Sequence, residues 1–186
     1  MGDLNSLVKK LREADILLVS EKGVKHAVNR ALGRSRWHHV MLYLGKGEVL
    51  EVTPKKGCHI SKIDLSKGCY KGYKAIRCKR ISATEGKEIA ATSVKIFCGQ
   101  KFSVPQLIKV FFRKAFDWRS NGNRKLACGP AYRCKTESMI CSNSVAMAYY
   151  VSGHLISDKY VPEYIVPRDY DKAKGFEIIF DINREN

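Results

Sequence analysis

Three residues that together could make a reactive thiol stand far apart in this chain. His39 lies in Trp37-His38-His39-Val40-Met41-Leu42-Tyr43-Leu44-Gly45, Glu51 in Glu48-Val49-Leu50-Glu51-Val52-Thr53, and Cys141 in Met139-Ile140-Cys141-Ser142-Asn143-Ser144. A thiol becomes a strong nucleophile when a nearby base takes its proton, and the ring of that base needs a third group to orient it. Cys141 follows the polar run Lys135-Thr136-Glu137-Ser138 and opens a segment with Val145, Ala148 and Tyr149 on one helical stripe. In the first turn of a helix a cysteine faces unpaired N–H groups and the positive end of the helix dipole. Both favour the thiolate. The same N–H groups can hold an oxyanion. The competing reading of a free cysteine is a small buried hydrophobe. The polar Ser142, Asn143 and Ser144 around it, together with His39 and Glu51, favour chemistry.

The elements that must position these residues begin with a hairpin. Pleating sends alternate side chains to opposite faces, so register decides which residues meet. With Gly45-Lys46-Gly47 as a three-residue loop, Leu44 pairs with Glu48, Leu42 with Leu50 and Val40 with Val52, which makes one face apolar. The other face then carries His39, Met41 and Tyr43 opposite Thr53, Glu51 and Val49. Glu51 falls diagonal to His39, at roughly 7–8 Å between backbones, a gap that long side chains bridge. A two-residue loop would put Glu51 among the leucines. The register that best buries the leucines is also the one that joins His39 to Glu51.

Around this hairpin the sequence predicts an α+β arrangement, helices wrapped about a mostly antiparallel sheet with the cysteine-bearing helix packed against it. Asp3 to Glu13 has helical spacing at Leu4, Leu7, Val8 and Leu11. Asp15 to Ser20 reads as a strand and Gly23 to Leu32 as a helix stopped by Gly33. Weaker strand signals run through Cys58 to Ile60 and Tyr73 to Arg80. Glu85 to Phe97 reads as a helix closed by Gly99. Ser103-Val104-Pro105-Gln106 has the form of a capping box and opens a helix to about Trp118. Arg119 to Lys135 reads as a basic surface loop, Cys141 to Val151 as the cysteine helix, and Phe176 to Ile182 as a last strand. No repeat or linker divides the chain, so residues 1–186 are expected to form a single domain.

Composition bounds the function. The 186 residues are 45% apolar, enough for a sizeable core, and 34 Lys and Arg against 18 Asp and Glu give a formal net charge of +16. Such a field draws anionic partners. Seven cysteines without a regular framework suit a reducing compartment such as the cytoplasm. The charged first residues do not read as a signal peptide, and no apolar run reaches a membrane span, so membrane contact is expected to be peripheral. No helix-turn-helix, zinc-finger or aromatic RNA-binding signature is present, so sequence-specific nucleic-acid recognition is not expected.

The motifs resemble those of the NlpC-type superfamily, in its circularly permuted papain-like branch, which includes YiiX-like proteins and relatives of lecithin:retinol acyltransferase. Asp15-Ile16-Leu17-Leu18 is similar to that group's "GDILL" strand, His39 to Gly45 to "HVGIYLG", and Val49-Leu50-Glu51 to "VIEA". Ile140-Cys141-Ser142-Asn143-Ser144-Val145 resembles "YCSELV", and Val166-Pro167-Arg168-Asp169-Tyr170 the late "TPDL" segment. The resemblance covers most of the chain in order. It implies a permuted papain-like fold with Cys141 as nucleophile, His39 as base and Glu51 as orienting group. It further implies cleavage of amide bonds in peptides or cell walls, or hydrolysis or transfer of acyl groups on lipids. The chain departs from the pattern at Ala14 and Met41, where glycine is common, and at Asn143, where glutamate is frequent. Met41 and Tyr43, beside His39, are expected to border the substrate, with Met41 narrowing the floor.

The remaining candidates weigh less. His38 has the parity of Val40 and Leu42 and is expected to be packed. His26, His59 and His154 lack partners at useful spacing and read as surface residues. Cys58-His59, Cys69 and Cys78 have no zinc spacing, so neither metal nor other cofactor is expected. A redox pairing of Cys134 with Cys141 would switch off a thiolate enzyme. Arg133 and Lys135, with Arg119, Arg124 and Lys125, are candidates for binding an anionic substrate, since they lead to Cys141. Two classes follow: a thiol hydrolase or acyltransferase, or a catalytically silent basic module for nucleic acid or a membrane surface. The intact Cys, His and Glu set favours the first.

Overall fold

A computed structural model describes residues 4–21, 35–63, 70–116, 138–157 and 162–183. The expected helix at residues 23–32, the basic run at 119–135 with Arg133 and Lys135, and His26, Cys69 and Cys134 lie outside the described residues.

Alternating apolar residues build six strands into one antiparallel sheet. They are β1 (Ile16–Glu21), β2 (His39–Gly45), β3 (Glu48–Thr53), β4 (Gly57–Lys62), β5 (Tyr70–Cys78) and β8 (Phe176–Asn183), in the order β4-β3-β2-β1-β5-β8. A short parallel pair, β6 (Lys101–Phe102) and β7 (Ser138–Met139), forms a second sheet against β4. Helices α1 (Leu4–Val8), α2 (Ala83–Phe97), α3 (Val104–Phe116), α4 (Cys141–Val151) and α5 (Pro167–Asp171) complete the described elements, with a 3₁₀ turn at Pro162–Tyr164. The class is α+β, and the N-terminal helix is shorter than its periodicity predicts.

Pleat parity separates two apolar clusters. Ile16, Leu18, Val40, Leu42, Leu50 and Val52 meet Ile89 and Phe97 of α2 and Val145, Ala146 and Ala148 of α4. On the other face Leu17, Val19, Met41, Tyr43, Val49 and Tyr73 pack with Leu11, and Leu7 and Val8 of α1 lie against them. Burying each such side chain is worth roughly 1.5–3 kcal/mol relative to exposure, so a one-residue slip of any central strand would be costly.

The hairpin reaches the expected register by a different route. Leu42 pairs with Leu50 and Tyr43 with Val49, but Gly45, not Leu44, pairs with Glu48. The turn is the two residues Lys46 and Gly47, both at positive φ (51° and 77°), the twist that tight hairpins favour. A bulge between Tyr43 and Gly45 takes up the extra residue and restores the pairing of the leucines.

The capping of two helices follows from short polar side chains. Ser82 and Glu85 form a reciprocal box at the start of α2, with Glu85 Oε2 accepting from the Ser82 N–H at 2.8 Å. Ser103 Oγ accepts the Gln106 N–H at 3.1 Å, but the expected return bond is absent because the Ser103 N–H donates to the Met139 carbonyl at 2.9 Å, while Gln106 Nε2 donates to the Glu163 carbonyl. His154, expected at the surface without a partner, stands 3.9 Å from Glu85 Oε1.

Candidate active site

The cysteine helix enters the sheet beside a gap in its pairing. Residues 39–45 of β2 alternate their N–H groups between neighbours: Tyr43 N–H donates to Asp15 on the β1 side, and Leu42 pairs with Leu50 on the β3 side. The β2–β3 ladder covers Leu42–Leu50, Tyr43–Val49 and Gly45–Glu48, so Val40 is not paired with Val52. There the Val40 N–H is turned to the Cys141 sulfur, and α4 packs on both strands.

Cys141 opens α4 as expected. Its N-cap residue is Ile140, extended and without a side-chain cap, so no side-chain cap satisfies the first N–H groups. The helix is then locked in place. Ser144 Oγ donates to the Cys141 carbonyl at 2.8 Å, Tyr149 Oη donates to the Ala14 carbonyl at 2.6 Å, and Tyr170 Oη donates to the Ser142 carbonyl. Ser142, Asn143 and Ser144 are buried around the half-buried Cys141. Ala14, which supplies the carbonyl for Tyr149, has φ 67°, a left-handed backbone that explains why a glycine would suit this position.

His39 lies between the other two groups. Its Nε2 is 3.0 Å from Glu51 Oε2, which leaves Nδ1 for the hydrogen bond that joins the ring to the Cys141 thiol. Burial alone would push the ring towards its neutral form. The Cys141 hydrogen bond and charge, then those of Glu51, outweigh burial and raise His39 to about 10. Burial likewise opposes the Cys141 thiolate, but His39 and the N–H groups of Val40 and Ser142 bring the thiol below its ordinary value. For Glu51, burial is outweighed by hydrogen bonds from His39 and Ser61, which hold the carboxyl down to about 2. The arrangement favours a thiolate beside an imidazolium.

Other expectations require correction. Met41 and Tyr43 do not open onto this site. Both are about 95% buried in the second cluster, and Tyr43 Oη accepts the Gly47 N–H at 3.0 Å, closing the hairpin. Parity put them on the face of His39 correctly, but α1 and Leu11 cover that face. His59 is not a free surface residue: its Nε2 is 3.5 Å from Glu51 Oε1. Ser61 Oγ donates to the same oxygen at 2.6 Å. The sequence contained a signal for both, since residues 59 and 61 alternate within a strand, but the register of β4 on β3 depends on the turn at 54–56. Among the described residues no group of three or more His, Cys, Asp or Glu side chains is arranged to hold a metal ion.

No protein-family model and no curated protein matches the sequence. The fold matches a solved structure, the metalloprotein YiiX from Escherichia coli O157:H7, with a TM-score of 0.65 and 12% identity. The match covers 93% of this chain and 98% of that one. At that identity the likeness concerns the fold alone, and the metal is a property of YiiX. With its six-stranded antiparallel sheet and flanking helices, the chain has a YiiX-like α+β fold.

Proposed function

We propose that this chain is a cysteine-dependent hydrolase or acyltransferase of the circularly permuted papain-like type, working through an acyl-enzyme at Cys141. The observation that carries the reading is the set of bonds on one sulfur and one ring. Cys141 meets His39 and the N–H groups of Val40 and Ser142, while His39 Nε2 is fixed by Glu51 at 3.0 Å. The thiolate attacks the carbonyl carbon of an amide or ester, forming a C–S bond. The first-turn N–H groups of α4, which no side chain caps, are the donors offered to the developing oxyanion. Collapse of the intermediate breaks the bond to the leaving amine or alcohol, which takes the proton from His39. His39 then removes a proton from water or a second acceptor, which attacks the thioester and frees Cys141.

The substrate class proposed is an acyl-bearing anion, a peptide, cell-wall fragment or lipid, because the net charge is +16. The test is to trap the acyl-enzyme from an activated acyl ester and locate it by peptide mass. A hydroxylamine-labile adduct on Cys141, absent from a folded Cys141→Ala protein, is expected. No adduct on Cys141 in the folded wild-type protein would leave a catalytically silent basic module as the better account.

A further inference from the structure

Glu51 is held from the side opposite His39 by two residues of β4. Thr53 pairs with Gly57 and Glu51 with His59, so the pleat presents His59 and Ser61 together towards the carboxylate. Ser61 Oγ donates to Oε1 at 2.6 Å and His59 Nε2 stands 3.5 Å from the same atom, while Oε2 faces His39. The second ring nitrogen of His59, Nδ1, is 3.0 Å from the Gly57 carbonyl oxygen. An ionised carboxylate only accepts, so attraction between His59 and Oε1 requires hydrogen on Nε2.

The strand that carries this pair is itself pinned. Cys58 N–H donates to the Gln100 carbonyl at 2.7 Å, and Gly99 N–H donates to the Cys58 carbonyl at 2.8 Å. Gly57, at φ 68°, leaves no room for a side chain, since a Cβ there would lie 2.3 Å from the Gln100 oxygen. The clamp therefore sits on a strand fixed on both sides, at the edge of the sheet.

We propose that His59 and Ser61 are positioning residues that hold Oε1 of Glu51 so that Oε2 stays on His39. The proposal rests on the reading of Cys141, His39 and Glu51 as the reacting set. Neither β4 residue touches a reacting atom. Both act through Glu51, a flexible side chain whose rotamer freedom the clamp removes.

A double-mutant cycle tests this, with the alkylation rate of Cys141 by iodoacetamide at neutral pH read by peptide mass. Ser61→Ala is expected to slow alkylation by about tenfold, the usual worth of a hydrogen bond to a charged group, and His59→Phe, which removes the longer contact, to slow it by less. In a Glu51→Gln background neither should slow it further. Ser61→Thr, which keeps the hydroxyl, should restore the rate. Where wild-type Cys141 is reactive, no change in Ser61→Ala, or equal losses in both backgrounds, overturns the clamp; Ser61→Ala also decides the matter should His59→Phe not fold. Ring ¹⁵N shifts of His59 in Cys141→Ala report the clamp without the thiol. They should show hydrogen on Nε2, and Glu51→Gln should change them. An inert wild-type Cys141 with hydrogen on His59 Nε2 removes the catalytic reading and keeps the contact, whereas a bare Nε2 facing Glu51 overturns the clamp.

Discussion

At the scale of single residues, the reactivity of Cys141 is decided by a competition between desolvation and paired charge. Desolvation opposes both the thiolate and the imidazolium, yet each is the partner that makes the other favourable. The two groups titrate as a pair, so the limits of the reactive window belong to both. The acid limit falls below the ordinary thiol value of 9.0, because Cys141 is lowered. The alkaline limit rises towards about 10, because His39 is raised. A bell-shaped kcat/KM profile with a broad neutral plateau is expected, with alkylation of Cys141 already fast on that plateau. A single rise of Cys141 alkylation near 9.0, with another cysteine labelling first, would refute it. Stability should follow the same sign. The contribution of His39 is whole below about 6.5 and is lost as pH climbs through about 10. Denaturant titrations should therefore show a shallower alkaline decline in Cys141→Ala, which lacks the thiolate partner. His39→Ala should abolish turnover, while Glu51→Gln should leave some, because an amide still orients the ring but carries no charge.

At the scale of elements, the site depends on how strands are pinned. Gly57 starts β4 at positive φ against the Gln100 carbonyl. Gly57→Ala should cost at least about 2 kcal/mol in urea unfolding, through backbone strain and the clash combined, and should weaken the His59 and Ser61 contacts with Glu51. A neutral result would show that β4 is not held there. A second anchor joins the start of β1 to β5: Arg77 reaches both oxygens of Asp15 at 2.8 and 2.7 Å, and the carboxylate is buried. Burial raises Asp15 even against this partner, so the charge is expensive. Arg77→Met should destabilise by about 3–5 kcal/mol, since it leaves that charge unpaired, and Asp15→Asn in the same protein should recover part of the loss. The hairpin was legible because apolar residues on both strands admitted one good pairing, Leu42 with Leu50. The turn was not, because a three-residue loop and a two-residue turn with a bulge give the leucines the same partners. His59 was not legible either, since its meeting with Glu51 follows from the register across the turn at 54–56, which no apolar pairing fixes as clearly. Cys141 stood out because a polar run before a periodic one marks a helix start whatever the tertiary fold.

At the scale of the whole molecule, charge is the property that neither the sheet nor the core explains. Folding a core does not require a net charge of +16, and such a charge works against compactness by self-repulsion. Part of it lies at the end of the sheet that holds His39. β3 ends at Thr53 on that side, and the turn after it exposes Lys55 and Lys56. Exposed charges are screened beyond roughly 10 Å at 0.1 M salt, so an anionic substrate drawn by this surface should bind less well as salt rises. The loss should appear in KM and leave kcat nearly unchanged, because attraction at the mouth of the site is the same in the ground and transition states. Reversing Lys55 and Lys56 to glutamate should raise KM for an anionic acyl substrate and flatten its salt dependence, while an uncharged analogue responds to neither change. Arg133 and Lys135, close in sequence to Cys141, form the second pair to reverse in the same assay. Salt-independent kinetics on the anionic substrate, unchanged by either reversal, would mean that the charge serves something other than the thiol site.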